Sequence, residues 1–236
     1  MKSNHAVMCT MKTSIVHHST RIRSLILMRN SSRRILLLAP LFVLMMAQPP
    51  AFGEQPIEAL QKGVDQGVRI LQDSKLKAAG QKDVQQRKLW LVVQGLFDFQ
   101  EFSRLVLASN WKNFTPAERK EFVRVFAEFL GKFYLGKLQE RYKEEIVIYV
   151  RQELKTPKRA LVNVRVVWQG REIPVDLQML KREGLWKVYD IQVLGISAVR
   201  NYRAQFKWIL RKETPAQVID RLKQRIEQID QQQPEG

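Results

Sequence analysis

Between Glu144 and Leu194 the apolar residues recur at every second position, and short turn signals cut the run into four pieces. Ile146-Val-Ile-Tyr-Val150 reads as a first strand. Leu161 to Trp168 sets Val162, Val164, Val166 and Trp168 against Asn163 and Arg165, and Gln169-Gly170-Arg171 closes it as a turn. Ile173, Val175, Leu177 and Met179 then alternate with Pro174, Asp176 and Gln178, and a turn at Arg182-Glu183-Gly184 leads into the strand Leu185 to Leu194. Connections this short join antiparallel neighbours, and a period of two gives each strand one greasy and one polar face. A four-stranded meander of this kind needs a cover over its greasy face.

The flanking segments supply it. Asp98 and Glu101 have capping-box spacing, Thr115-Pro116-Ala117-Glu118 offers an N-cap, an N1 proline and an N3 glutamate, and Thr214-Pro215-Ala216-Gln217 repeats that logic. Each opens an amphipathic run. In the second run Phe122, Val125, Phe126, Phe129, Leu130, Phe133, Leu138 and Tyr142 recur at spacings of three to five. Such a stripe serves equally as a core face or as the lining of a cavity, because planar rings leave gaps that flexible chains fill. The expected fold class is α+β: a four-stranded antiparallel sheet covered on its apolar face by N- and C-terminal helices. No repeat or long linker interrupts Glu54 to Arg225, so residues 54–230 read as one domain and 231–236 as a disordered tail.

The N-terminus has a different character. Arg21, Arg23, Arg29, Arg33 and Arg34 precede an apolar run from Ile35 to Ala47, too short to span a bilayer and right for a signal-peptide core. Cleavage fits after Ala47 or after Gly53, and the small residues Ala51 and Gly53 favour the second. Residues 1–53 are therefore expected to be a signal peptide for export, with an uncleaved anchor as the competing reading. A start at Met28 would give an ordinary basic lead, which makes residues 1–27 look like a misassigned start.

Removing that leader narrows the chemistry. His5, His17, His18 and Cys9 all lie within it, so residues 54–236 offer neither a Ser-His-Asp triad, nor a cysteine nucleophile, nor His/Cys zinc ligands, nor a disulfide. The expectation is no enzyme, no metal and no cofactor. The net charge of +17 falls to +10, since the leader holds 7 of the 40 basic residues and no acidic ones, leaving 33 against 23. An exported basic chain meets anionic lipid surfaces and acidic partners rather than nucleic acid.

The segment from Trp186 to Phe206 joins a strand to a basic helix at Gly195. It suits a site for something apolar with an anionic head, and it equally suits a plain strand-to-helix junction. Strict alternation puts Trp186, Val188 and Asp190 on one face and Lys187, Tyr189 and Ile191 on the other. Asp190 then reads either as a general base in a sheet pocket or as a structural tie to Arg200, Arg203 or backbone amides at the Gly195 turn.

Several of these motifs together resemble a known family. Phe97-Asp98-Phe99, Arg104-Leu105, Trp111, the Thr115-Pro116 helix with Phe122, Phe126, Tyr134 and Tyr142, and finally Trp186, Tyr189-Asp190, Gly195, Ser197, Asn201, Arg203 and Phe206 are similar to the MlaC/toluene-tolerance family, over about residues 55 to 230. The resemblance implies a soluble periplasmic phospholipid carrier with a cavity for acyl tails between sheet and helices. It implies as partners an outer-membrane lipoprotein complex and an inner-membrane ABC transporter with a ring-forming subunit. A related branch accompanies hopanoid biosynthesis and stays open, as do a small sheet-fold enzyme using Asp190 or Asp176 and a non-lipid interaction protein.

On that reading the tail cavity is expected from Val162, Val164, Val166, Val175, Leu177, Trp186 and Val188 on the sheet, roofed by Phe99, Phe126, Phe129 and Phe133. Ile196 is expected either at the cavity mouth or in ordinary core. Arg200 and Arg203 are expected at the phosphate, at a partner, or on a solvated face or paired with Asp190. Two positions depart from the family pattern: Ala108 stands where a glycine is usual, and Leu177 where a tyrosine is usual.

Overall fold

The computed structural model describes residues 53–232. The expected leader lies outside the described residues apart from Gly53, as do residues 233–236 of the expected tail.

Among the described residues six α-helices and five strands follow one another: α1 (Pro56–Gln72), α2 (Lys82–Leu96), α3 (Phe99–Leu107), a 3-10 turn (Ala108–Asn113), α4 (Pro116–Arg141), β1 (Ile146–Thr156), β2 (Arg159–Trp168), β3 (Arg171–Arg182), β4 (Leu185–Val193), β5 (Ile196–Ser197), α5 (Ala198–Ile209) and α6 (Pro215–Gln232). The helix α6 runs two residues past the expected start of the tail. The strands pair antiparallel in the order β1-β2-β3-β4-β5. The expected α+β class and antiparallel sheet are present. The sheet has five strands rather than four, because two residues after the Gly195 turn fold back onto Gln192 and Val193.

All three helix starts read from the sequence are capped. Asp98 accepts from the Glu101 amide at 2.8 Å. Thr115 and Glu118 form a full capping box, with the Thr115 amide donating to the Glu118 carboxylate at 2.8 Å. The Thr214 amide donates to Gln217 Oε1 at 2.9 Å. Each cap satisfies amides that the first helical turn leaves unpaired.

Two cores result. In the first, Leu60 of α1 seals Ala160, Val162, Met179, Trp186 and Val188 of the sheet, with Ile57, Val64, Leu96 and Phe97 packed around them. In the second, Phe102, Phe122, Val125, Phe126, Phe206, Val218 and Leu222 of the helices pack on one another. The N-terminal helix thus covers the sheet, while the C-terminal helix α6 packs against α4. Phe97 touches both cores and pairs with Val188 at the free edge of β4, its neighbour Asp98 donating its amide to the Val188 carbonyl at 2.8 Å. A third cluster of Leu71, Leu89 and Leu135 ties α1 and α2 to the far end of α4. There Gly131 lets the Trp90 ring lie on the α4 backbone, since a Cβ at that position would meet Trp90 at 2.7 Å.

Candidate functional site

Cross-strand partners share a face, so the register maps the greasy side of the sheet row by row. Val147, Val166 and Ile173 form one row, and Tyr149, Val164, Val175, Val193 and Ile196 the next. Val162, Leu177 and Ile191 follow, then Leu154, Ala160, Met179 and Val188. The rows under α1 are sealed at their centres, where Val162 and Met179 have no exposed surface, while Leu154 on β1 is exposed. At the other end the cover stops. Val147, Tyr149, Val166, Ile173, Val175 and Ile191 are half-buried, and Val193 and Ile196 are exposed, Ile196 to 67%. The result is a half-covered apolar strip, exposed at the end where β4 turns into β5.

Ile191 and Val193 belong to this face only because β4 carries a bulge. Gln178 pairs with Asp190 but Met179 pairs with Val188, so Tyr189 is an extra residue and the alternation inverts beyond it. This corrects the expected grouping. Trp186 and Val188 face the sealed core, Asp190 faces the opposite side with Gln178, and Ile191 takes the place on the greasy face that strict alternation gave to Asp190.

Asp190 is buried and fully engaged. Ser197 Oγ donates to its Oδ2 at 2.6 Å, and the Val199 amide donates to its Oδ1 at 3.0 Å. The Ser197 hydroxyl in turn accepts from the Arg200 amide at 3.1 Å. A carboxylate in the first turn of α5 meets the positive end of the helix dipole. Of the readings open from the sequence, the tie to backbone amides is the one observed, and neither arginine pairs with Asp190. Arg200 donates Nη2 to the Gly195 carbonyl at 2.9 Å and remains exposed. Arg203 donates Nε to the Leu105 carbonyl at 2.9 Å, joining α5 to α3.

The aromatic residues separate from the sheet residues they were expected to roof. Phe126 is wholly buried in the helical core, with Phe99 and Phe129 packed against that core. From Phe126 the rings continue through Phe129 at 6.5 Å, Phe133 at a further 5.8 Å and Tyr134 at a further 5.0 Å. Phe129 and Phe133 are half-buried and Tyr134 is exposed, its hydroxyl 3.1 Å from that of Tyr202. Burial and that contact raise the Tyr202 phenol above its ordinary range. The expected roof fails at Phe126 because an amphipathic stripe names a buried face without naming what buries it.

Two features escaped the sequence reading. Tyr149 places a buried hydroxyl without a hydrogen-bond partner in the half-open row, and burial pushes its pKa up to about 12. A separate groove of about 900 Å³ opens at the Arg182–Lys187 end of β4, away from the half-covered strip, over Trp90, Phe97 and Phe99. Several of its cations are paired, Arg182 with Asp98 at 2.8 Å, Lys132 with Asp230, and Arg124 with Glu121 and Glu128, whereas Lys187 donates to the Gly95 carbonyl. Of the expected site residues only Phe99 reaches that groove. Arg182 ends β3 and Asp98 caps α3, so nothing in their spacing linked them.

Among the described residues no group of acidic, histidine or cysteine side chains is placed to hold a metal, and no helix is long and apolar enough to cross a membrane. Sheet, bulge and unfinished cover define an α+β protein whose sheet keeps part of its apolar face incompletely covered. A family model described as MlaC protein matches residues 61–224, and the chain belongs to that family. It is 25% identical over 127 residues to the intermembrane phospholipid transport system binding protein MlaC of Haemophilus influenzae. That match takes in 52% of this chain and 59% of the relative, so the chain spans about three fifths of the curated relative's length. The solved phospholipid-binding protein of Ralstonia solanacearum, in complex with a phospholipid, shares the fold with a TM-score of 0.65 at 21% identity, over 75% of this chain and 99% of that one.

Proposed function

We propose that this chain is a phospholipid carrier whose recess holds acyl tails while the head group stays at the open end. The observation that carries the reading is the uneven cover of the sheet. Six valine, isoleucine and tyrosine side chains that alternation directs inward stop short of full burial, and two more lie bare. A folded protein leaves that much contiguous apolar surface for a ligand or a partner. Moving one tail of ~16 carbons into water costs roughly 12 kcal/mol at about 0.8 kcal/mol per methylene. A carrier offsets that cost by offering apolar walls.

In this proposal Val164, Val166, Val175, Leu177, Ile191 and Ile196 are the sheet wall. Val162, Trp186 and Val188 serve as its sealed base. Nothing in the task needs a nucleophile, metal or cofactor, in keeping with a chain whose residues 54–236 carry no histidine or cysteine. We further propose that residues 1–53 direct export to the periplasm. There the protein would pass lipid between an outer-membrane lipoprotein complex and an inner-membrane ABC transporter with a ring-forming subunit, as in the family it belongs to.

Organic extraction of the purified protein followed by mass spectrometry tests the reading. Phospholipid in near-stoichiometric amount is the expected result. An empty extract from protein purified without detergent would overturn it and leave the interaction protein. Hopanoid in place of phospholipid would overturn the choice of ligand while keeping the carrier.

A further inference from the structure

Helix α5 has a solvent face of unusual composition. At 100° per residue Arg200, Ala204, Lys207, Trp208 and the following Arg211 share one side, while Val199, Tyr202 and Phe206 turn inward. The helix contains no aspartate or glutamate. Among the described residues Arg200, Lys207, Arg211 and Lys212 join no ion pair, and the first carboxylate beyond them, Glu213, is taken by Arg221. Trp208 is 59% exposed, with the Lys212 ammonium 4.6 Å from its ring centre.

This face continues into the β4–β5 turn. Arg200 is bonded to the Gly195 carbonyl, and the turn carries Leu194 and Ile196, both about two-thirds exposed. Leu194 and Gly195 both have positive φ, at 50° and 79°, which holds the tip in a tight reversal. Apolar side chains thus project from a turn tip and from a helix end, with cations between them and no carboxylate.

We propose that α5 and the Leu194–Ile196 turn form a docking face for an anionic phospholipid bilayer. The proposal rests on the carrier reading, and it assigns the side from which the recess is loaded or emptied. Charge and shape both favour a bilayer over a protein. A tryptophan with one apolar and one polar edge suits the level of the head groups, and unpaired Lys and Arg side chains are drawn to anionic lipid. Projecting apolar tips enter a deformable boundary without needing a complementary pocket. The recess opens beside this face, at Val193 and Ile196, so a docked protein presents its mouth to the lipid.

The test uses purified protein and vesicles of phosphatidylcholine alone or with 30% phosphatidylglycerol, read by flotation and by quenching of tryptophan emission with brominated acyl chains. Binding is expected to the anionic vesicles at least tenfold above the neutral ones, and to weaken as salt rises. Trp208→Phe should remove most of the quenching, and Lys207→Glu with Arg211→Glu should abolish flotation while co-purifying phospholipid is unchanged. Equal binding to both vesicle types, or no loss in the double variant, would overturn the docking face. Binding to immobilised polyglutamate, lost in the double variant and with no flotation, would also overturn it and assign the face to an acidic protein. A protein that yields phospholipid on extraction but never floats refutes this face alone, whereas an empty extract refutes the carrier.

Discussion

The two ends of the sheet's greasy face are both apolar and meet opposite fates. Under α1, Val162, Met179 and Val188 are as dry as any core. Three to five residues along the same strands, Val166, Val175 and Ile191 are half-covered and Val193 is exposed. Apolar character does not account for the difference, since the sealed end carries Ala160, Val162, Met179, Trp186 and Val188 and the open end valine, isoleucine and tyrosine. What differs is the cover: Leu60 and its neighbours reach one end, and the core built on α4 closes on α5 and α6 rather than on the sheet. Stability is concentrated in one half of the face, and the other half is left available at some cost in buried area.

Placing the same charge at each end breaks that comparison most directly. Val162→Glu buries an unpaired carboxylate and should cost at least ~4 kcal/mol, leaving little folded protein by denaturant titration. Ile196→Glu should change stability by no more than ~0.5 kcal/mol while reducing extracted phospholipid at least tenfold. Unfolding by both variants, or full lipid retention in the second, would erase the distinction. Next in size, Phe126→Ala should cost about 3–5 kcal/mol as a cavity in the helical core, seen as a lower denaturation midpoint.

A smaller effect concerns Ala108. It closes α3 with φ 49° and ψ −120°, a conformation that glycine adopts freely and alanine only under strain. Ala108→Gly should therefore stabilise the fold by ~1 kcal/mol, measured as a higher melting temperature with lipid content unaltered. The smallest change sharpens the open end. Tyr149→Phe removes a buried hydroxyl that has no partner and should stabilise the lipid-free protein by roughly 1 kcal/mol. A loss of stability instead would mean that the hydroxyl is satisfied.

Much of this was legible in the chain, and the failures share a cause. Caps at Asp98, Thr115 and Thr214 are local chemistry, and each helix begins where its cap stands. The meander was legible because its turns are short. The bulge was not, since Trp186, Val188 and Asp190 alternate perfectly in sequence and only pairing with β3 reveals the extra residue. The partner of the Phe122–Phe133 stripe was equally hidden, because periodicity gives the direction of a face and tertiary packing decides what meets it. Ala108 illustrates the reverse: the glycine expected there marked a backbone requirement that the structure then displays as positive φ.

The extra residue at Tyr189 works as a parity change. One continuous strand is read in one phase from Leu185 to Val188 and in the opposite phase from Asp190 to Val193, so it serves the sealed end and still delivers both the Asp190 cap and the rim of the recess. Removing Tyr189 would leave Val188 and Asp190 adjacent, opposite Met179 and Gln178, and ordinary alternation would then keep Asp190 outward and Ile191 on the greasy face. The bulge lets β4 carry one surplus residue while pairing with β3 holds the faces on both sides of it.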